Sequence, residues 1–278
     1  MRALSGAVFV ALIVFCIWFG PLSFGILFLI ITVLATSEFY SLINNYQGLN
    51  VSRILNCIGA GILFGSTYLY QNNIYGEKVF LLYILYLIVL FVSGLYTKHE
   101  NPLKSWAYTL MGQIYIALPF SLLNFIAISE VSIFGIEITT RIEYSPLLLL
   151  ALFVFIWIND TGAYLVGSRI GKNRLFERIS PKKSWEGFWG GIAFAMLAGY
   201  GFSFLQTDYN TLECIGMGLV VSVFATWGDL TESLIKRTLG VKDSGTMIPG
   251  HGGILDRFDS VLLAAPAYLI YLKVIELF

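Results

Sequence analysis

The sequence predicts an all-α polytopic integral membrane protein, and three observations carry that expectation. Of its 278 residues, 57% are hydrophobic and only 12% charged, whereas soluble domains carry about 25% charged residues. The apolar residues gather into long blocks, each approaching the roughly 17–25 residues that span a hydrocarbon layer. Basic residues collect in alternate gaps between the blocks, as cytoplasmic loops do. The formal net charge is zero, which gives no support to a nucleic-acid partner.

Nine blocks follow in order: 4–19, 22–43, 54–70, 79–96, 106–128, 147–166, 188–205, 212–227 and 261–277. Backbone polar groups in lipid must be satisfied within the segment, so each block is expected to be a helix. Arg2 followed by an apolar run has the outline of a signal peptide. No small-residue cleavage site follows, however, and apolar character resumes after Gly20-Pro21, so a retained helix is expected. The same Gly-Pro pair leaves an alternative in which the first two blocks form one kinked helix and the total is eight.

Arg169, Lys172, Arg174, Arg178, Lys182 and Lys183 crowd the gap between blocks six and seven. Lys236, Arg237, Lys242 and Arg257 lie between eight and nine, Lys98 and Lys104 between four and five, and Arg53 opens the third. Gaps 129–145 and 206–211 are poorer in cations. This alternation fits nine spans with the N-terminus cytoplasmic, the C-terminus outside and loops 167–187 and 228–260 facing the cytosol. Residues 1–145 are read as a scaffold of about five helices and residues 146–278 as a catalytic region of about four. Within the scaffold, Glu38 reads as a snorkelling or interfacial acid ahead of a functional one. Cys16, Cys57 and Cys214 sit in apolar surroundings without metal-ligand spacing and imply no disulfide framework.

The chemistry concentrates in 228–260, the longest polar interval of the chain. Asp229, Glu232, Ser233, Lys236 and Arg237 recur at helical spacing and are expected on one face. Pro249-Gly250-His251-Gly252-Gly253 cannot be a helix interior and reads as a tight turn with backbone N–H groups open to a ligand. An apolar-periodic run is expected to start a helix at Ile254, placing Asp256 and Asp259 on a shared face. A glycine turn feeding a helix N-terminus suits an anion. Carboxylates suit Mg²⁺, and Lys and Arg suit phosphate oxygens.

Two further stretches fit this picture. Asp160 lies about 10 Å below the cytoplasmic end of block six, a depth at which an ionisable group is costly and suggests function. Ser180-Pro181-Lys182-Lys183-Ser184-Trp185-Glu186-Gly187 offers two adjacent ammoniums, with Ser184 capping the next helix and Glu186 in its first turn. Taken alone, the lysines read equally as topology signals attracted to anionic lipid.

The run Ser233-x-x-Lys236-Arg237, Lys242-Asp243, Pro249-x-His251-Gly252-Gly253-x-x-Asp256-Arg257-x-Asp259 resembles the signature of the phosphatidate cytidylyltransferase, or CDP-diacylglycerol synthase, family. The 180–187 stretch resembles a second element of that family, with Ser184 where Thr is expected. The resemblance implies transfer of a cytidylyl group from CTP to phosphatidic acid, with Mg²⁺ and a monovalent cation such as K⁺ as cofactors. It further implies a homodimer in the lipid bilayer. Asp229 and Asp256 are assigned to the metal, with Asp259 and Asp160 as further candidates. Lys182, Lys183, Lys236, Arg237, Lys242 and Arg257 are assigned to phosphates, with Ser180, Ser184, Ser233, Asp243, Gly250, His251, Gly252 and Gly253 around the substrate. The chain's compactness suggests a bacterial plasma membrane. A CTP-dependent polyprenol kinase and a transporter are the alternatives. The charge at one membrane face counts against a transporter, whose binding site lies near the midplane.

Overall fold

The computed structural model describes residues 2–45, 51–96, 101–132, 140–245 and 252–277. Helices dominate: α1 (Arg2–Phe19), α2 (Pro21–Asn44), α3 (Arg53–Gln71), α4 (Leu81–Tyr96, entered through a 3₁₀ turn), α5 (Pro102–Gly112) and α6 (Leu118–Ala127). After them come α7 (Pro146–Ile170), α8 (Trp185–Phe202), α9 (Thr211–Thr238), α10 (Leu255–Phe258) and α11 (Val261–Ile275). Among the described residues, six helical stretches are long and apolar enough to cross a membrane: Pro21–Asn44, Gly76–Tyr96, Pro102–Ala127, Pro146–Ile170, Thr211–Thr238 and Leu255–Ile275. The protein is therefore an all-α polytopic membrane protein. The remaining expected blocks, 4–19, 54–70 and 188–205, are helical as α1, α3 and α8 but are not among those six stretches.

The chain divides into two units, residues 1–146 with 243–256, and residues 147–242 with 257–278. A boundary near 145 was expected; the placement of 243–256 in the first unit was not.

In the first unit, Gly20 adopts φ +149°, a conformation side-chain-bearing residues rarely enter. Pro21 then starts α2, so α1 and α2 are separate helices rather than one kinked rod. Most of the α4 side chains, among them Leu81, Leu85, Ile88, Val92 and Leu95, are exposed. Such a surface suits lipid rather than water. The interior carries a polar network. The Tyr40 hydroxyl donates to the Thr109 carbonyl at 2.7 Å, and the Tyr86 hydroxyl donates to Asn56 Oδ1 at 2.8 Å. Gln113 Nε2 donates to the Asn56 carbonyl at 3.0 Å and to the Tyr40 hydroxyl at 3.3 Å. Interhelical hydrogen bonds of this kind contribute roughly 0.6–2 kcal/mol each in a membrane. A π-helical turn at Gln113–Ala117 joins α5 to α6 just before Pro119. The proline lacks an N–H and would crowd the preceding turn, and the wider turn relieves both problems.

In the second unit, α8 lies against α9 through small residues. A Cβ on Gly218 would strike the Ala195 carbonyl, and one on Gly199 the Cys214 carbonyl. Two short antiparallel strand pairs accompany the helices. Strands β1 (Ile128–Ser132) and β2 (Thr140–Tyr144) form an antiparallel hairpin in the first unit, and β3 (Arg174–Phe176) and β4 (Ser180–Ser184) form another in the second. The second hairpin is anchored by Leu175, buried with Phe188, Ile192 and Leu230. The expected continuous helix from Ile254 also breaks. α10 ends at Phe258, and Asp259 Oδ1 accepts the Ser260 N–H at 2.6 Å. A short polar side chain bonding its neighbour's backbone competes with helix continuation. Asp256 and Asp259 therefore do not share the face of one regular helix.

Candidate active site

The second unit holds a cavity of about 620 Å³ walled by α7, the β3–β4 hairpin, α8 and α9. Asp160, Lys182, Lys183, Ser184 and Asp229, all singled out in the sequence, line it together. Lys183 Nζ lies 2.6 Å from Asp229 Oδ2, with both side chains about a third exposed. Asp160 is further from the end of its helix than the sequence suggested, because α7 continues to Ile170. Arg174 lines the same cavity. Sequence reasoning counted Arg174 only as a topology signal; its place beside the lysines comes from the hairpin, which pairs Arg174 with Ser184.

The hairpin is held to α8 by two contacts. Ser184 caps α8, its Oγ accepting the Gly187 N–H at 3.1 Å. Glu186, in the first turn, accepts from Asn173 N at 3.1 Å and Asn173 Nδ2 at 2.7 Å. Hydrogen bonds from its own N–H and from Asn173 hold the Glu186 carboxyl below its ordinary range. Ser180, half-buried, begins the strand that carries both lysines.

On α9 the expected polar face is present but divided. Ser233 Oγ donates to Asp229 Oδ1 at 3.3 Å. Glu232 and Lys236, both buried, form an ion pair at 2.5 Å one turn further on. Arg237 is exposed and donates to the Val241 carbonyl at 3.2 Å, closing the helix C-terminus. Lys242 is exposed beyond it. Asp259 faces Asp229, Glu232 and Lys183, so three carboxylates and a lysine share one electrostatic neighbourhood.

In the first unit, Asp256 carries a structural duty the sequence did not show. Its Oδ2 accepts the Ser244 N–H at 2.9 Å and the Gly253 N–H at 2.8 Å, and Oδ1 accepts the Ser244 N–H at 3.1 Å. The expectation that Gly253 offers an open N–H is corrected accordingly: Asp256 takes it. Gly252 has φ +83°, as the tight turn required. Gly250 and His251 lie outside the described residues. Asp243, which opens the segment, has an exposed side chain, as does Arg257, the first residue of the second unit after it.

The donor set suits a hard cation. Asp160 and Asp229 present carboxylate oxygens to one cavity. Among the described residues, no three His, Cys, Asp or Glu side chains are grouped to hold a metal. Mg²⁺ is commonly held by one or two carboxylates with substrate phosphates and water, so these residues fit it in that manner.

A family model described as "Cytidylyltransferase family" matches residues 1–275. The chain belongs to the cytidylyltransferase family. Among curated relatives, the phosphatidate cytidylyltransferase of Staphylococcus aureus (strain COL) is 46% identical over 115 residues, 41% of this chain and 44% of the relative. The phosphatidate cytidylyltransferase of Staphylococcus epidermidis (strain ATCC 12228 / FDA PCI 1200) is 45% identical over 128 residues, covering 46% and 49%. A protein of Escherichia coli (strain K12) named "Uncharacterized protein YnbB" is 39% identical over 135 residues, covering 49% and 45%. The chain thus spans about half the length of the curated relatives it matches.

Proposed function

We propose that this cytidylyltransferase-family protein transfers the cytidylyl group of CTP to phosphatidic acid, giving CDP-diacylglycerol and pyrophosphate. The observation that carries the reading is the contact of Lys183 with Asp229 inside the cavity of the second unit. It places a cation and a hard anionic ligand side by side, which is what a reaction between two phosphates requires. An oxygen of the lipid phosphate attacks the α-phosphorus of CTP. A new P–O bond forms there, and the bond to the β-phosphate breaks as pyrophosphate departs. The attacking oxygen is already anionic, so positioning and charge neutralisation carry the rate.

Lys182, Lys183 and Arg174 hold phosphate oxygens, and Asp229 fixes the Lys183 ammonium. Ser184 and Glu186 keep the hairpin in register beneath them. Asp229, with Asp160 as second carboxylate, would hold Mg²⁺, which when bound neutralises phosphate charge. For Asp256 a metal role would have to use lone pairs that its backbone donors leave over. K⁺ rests on the family resemblance alone. The same reading places nine spans in a bacterial plasma membrane, N-terminus cytoplasmic and C-terminus outside, with the hairpin facing cytosolic CTP.

The test is pyrophosphate release by purified protein in detergent with CTP, Mg²⁺ and phosphatidic acid. Release should depend on the lipid, and Asp229→Asn should lower kcat about 100-fold or more, the scale of a lost electrostatic contact in an active site. Release of CDP instead would indicate a lipid kinase. No nucleotide turnover by the wild type would end the cytidylyl-transfer reading.

A further inference from the structure

We infer that Glu38, on α2 in the region read as scaffold, is a positioning residue for the signature segment. The inference rests on the proposed cytidylyl transfer, since that reading gives the segment its substrate.

The sequence allowed Glu38 to be a snorkelling acid, but its geometry excludes this. The side chain is buried, 7% exposed, within a largely apolar helix. An acid so placed is costly unless it has partners. Those partners come from more than two hundred residues away. Oε2 accepts the Leu255 N–H at 2.9 Å, across 217 positions. It also accepts the Ser244 hydroxyl at 3.3 Å, across 206. Ser244 in turn gives its N–H to Asp256, which also receives the Gly253 N–H. Two carboxylates, one local and one remote, thus hold both described ends of the segment, 243–245 and 252–256.

The glycines show how closely the fit is drawn. A Cβ on Gly245 would lie 2.7 Å from Glu38 Oε1, and its near neighbours are all atoms of that one side chain. A Cβ on Gly253 would strike Glu38 Oε2 and the Ser244 hydroxyl. The signature's glycine spacing is therefore partly a record of the space Glu38 occupies. Moving this carboxylate should shift the backbone at Ser244 and Leu255, and with it whatever the segment holds.

The experiment combines steady-state kinetics, varying CTP and phosphatidic acid separately, with amide hydrogen exchange over 243–256. Glu38→Ala should raise the KM for CTP and lower kcat/KM for CTP roughly 100-fold, the scale of a small misplacement of reacting groups. Exchange at the segment should rise in parallel. Glu38→Gln keeps an acceptor for Leu255 and Ser244 and should stay within about tenfold of wild type. Gly245→Ala should resemble Glu38→Ala, and Glu38→Asp, shorter by one methylene, should restore part of the loss in the double variant. If Glu38→Ala does not fold, the Gly245 pair decides alone.

Unchanged CTP kinetics in Glu38→Ala, a loss confined to kcat that tracks the amount of folded protein, or no suppression in the double variant would each overturn the inference. Should the wild type turn over no CTP, the reaction reading falls and exchange decides the anchor: faster exchange in Glu38→Ala upholds it, and unchanged exchange removes it.

Discussion

At the scale of single residues, magnitudes separate the proposed functional role of the Lys183–Asp229 pair from a structural one. An ion pair with both partners about a third exposed contributes roughly 0–1 kcal/mol to folding. A phosphate held by a charged donor is worth about 1.5–3 kcal/mol. Lys183→Met should therefore leave the thermal midpoint in detergent within about 4 °C of wild type while lowering kcat/KM by roughly 10- to 100-fold. A large fall in the midpoint with intact kinetics would make the pair a structural strut. Its lysine and aspartate were both legible as candidates, because acids and bases in a chain 12% charged stand out. Their contact was not legible, since it joins a hairpin to a helix 46 positions on. Asp256 was legible as important, but its capture of backbone N–H groups was not, because that arrangement has no side-chain pattern to announce it.

At the scale of elements, the helices were the readable part. Apolar blocks in lipid leave the backbone no alternative, and every expected block is helical. The β3–β4 hairpin was not readable, because a short strand rich in lysine carries little strand propensity. It forms by pairing across the loop and by burying Leu175. Its junction with α8 gives a clean test. Removing the cap with Ser184→Ala should cost about 1 kcal/mol, within the usual range of about 0.5–2 for an N-cap, and thermal unfolding should report it. The α8–α9 contact is stricter. The Cβ added by Gly218→Ala meets a backbone carbonyl rather than a yielding side chain. That change should cost about 1–3 kcal/mol, as overpacking does, and a variant as stable as wild type would show that the helices can separate locally.

At the scale of the whole molecule, charge distribution makes the remaining prediction. If the proposed nine spans hold, with cations gathered in 167–187 and 228–260, a reporter inserted in 167–187 should be active only on the cytoplasmic side. A reporter fused after Phe278 should be active only outside. A reporter fused before Arg2 would separate the two counts, since merging the first two blocks leaves 167–187 and the C-terminus on their sides: activity on the cytoplasmic side goes with nine spans, activity outside with eight. Composition made the membrane class readable, since a protein exposing this much hydrocarbon has no stable state in water. Composition could not reveal that 243–256 belongs with the first 146 residues, because that grouping depends on contacts such as Glu38 to Leu255.

The Glu38 contact bears on chimaeras as well. A hybrid taking its first 146 residues from a relative and the rest from this chain would inherit the donor's residue at position 38 but keep Ser244, Gly245 and Leu255 from here. Glutamate in the donor would leave the join silent. A residue with no acceptor of that reach, such as alanine, would put the defect at the signature, far along the chain from the splice, and restoring one codon should repair it.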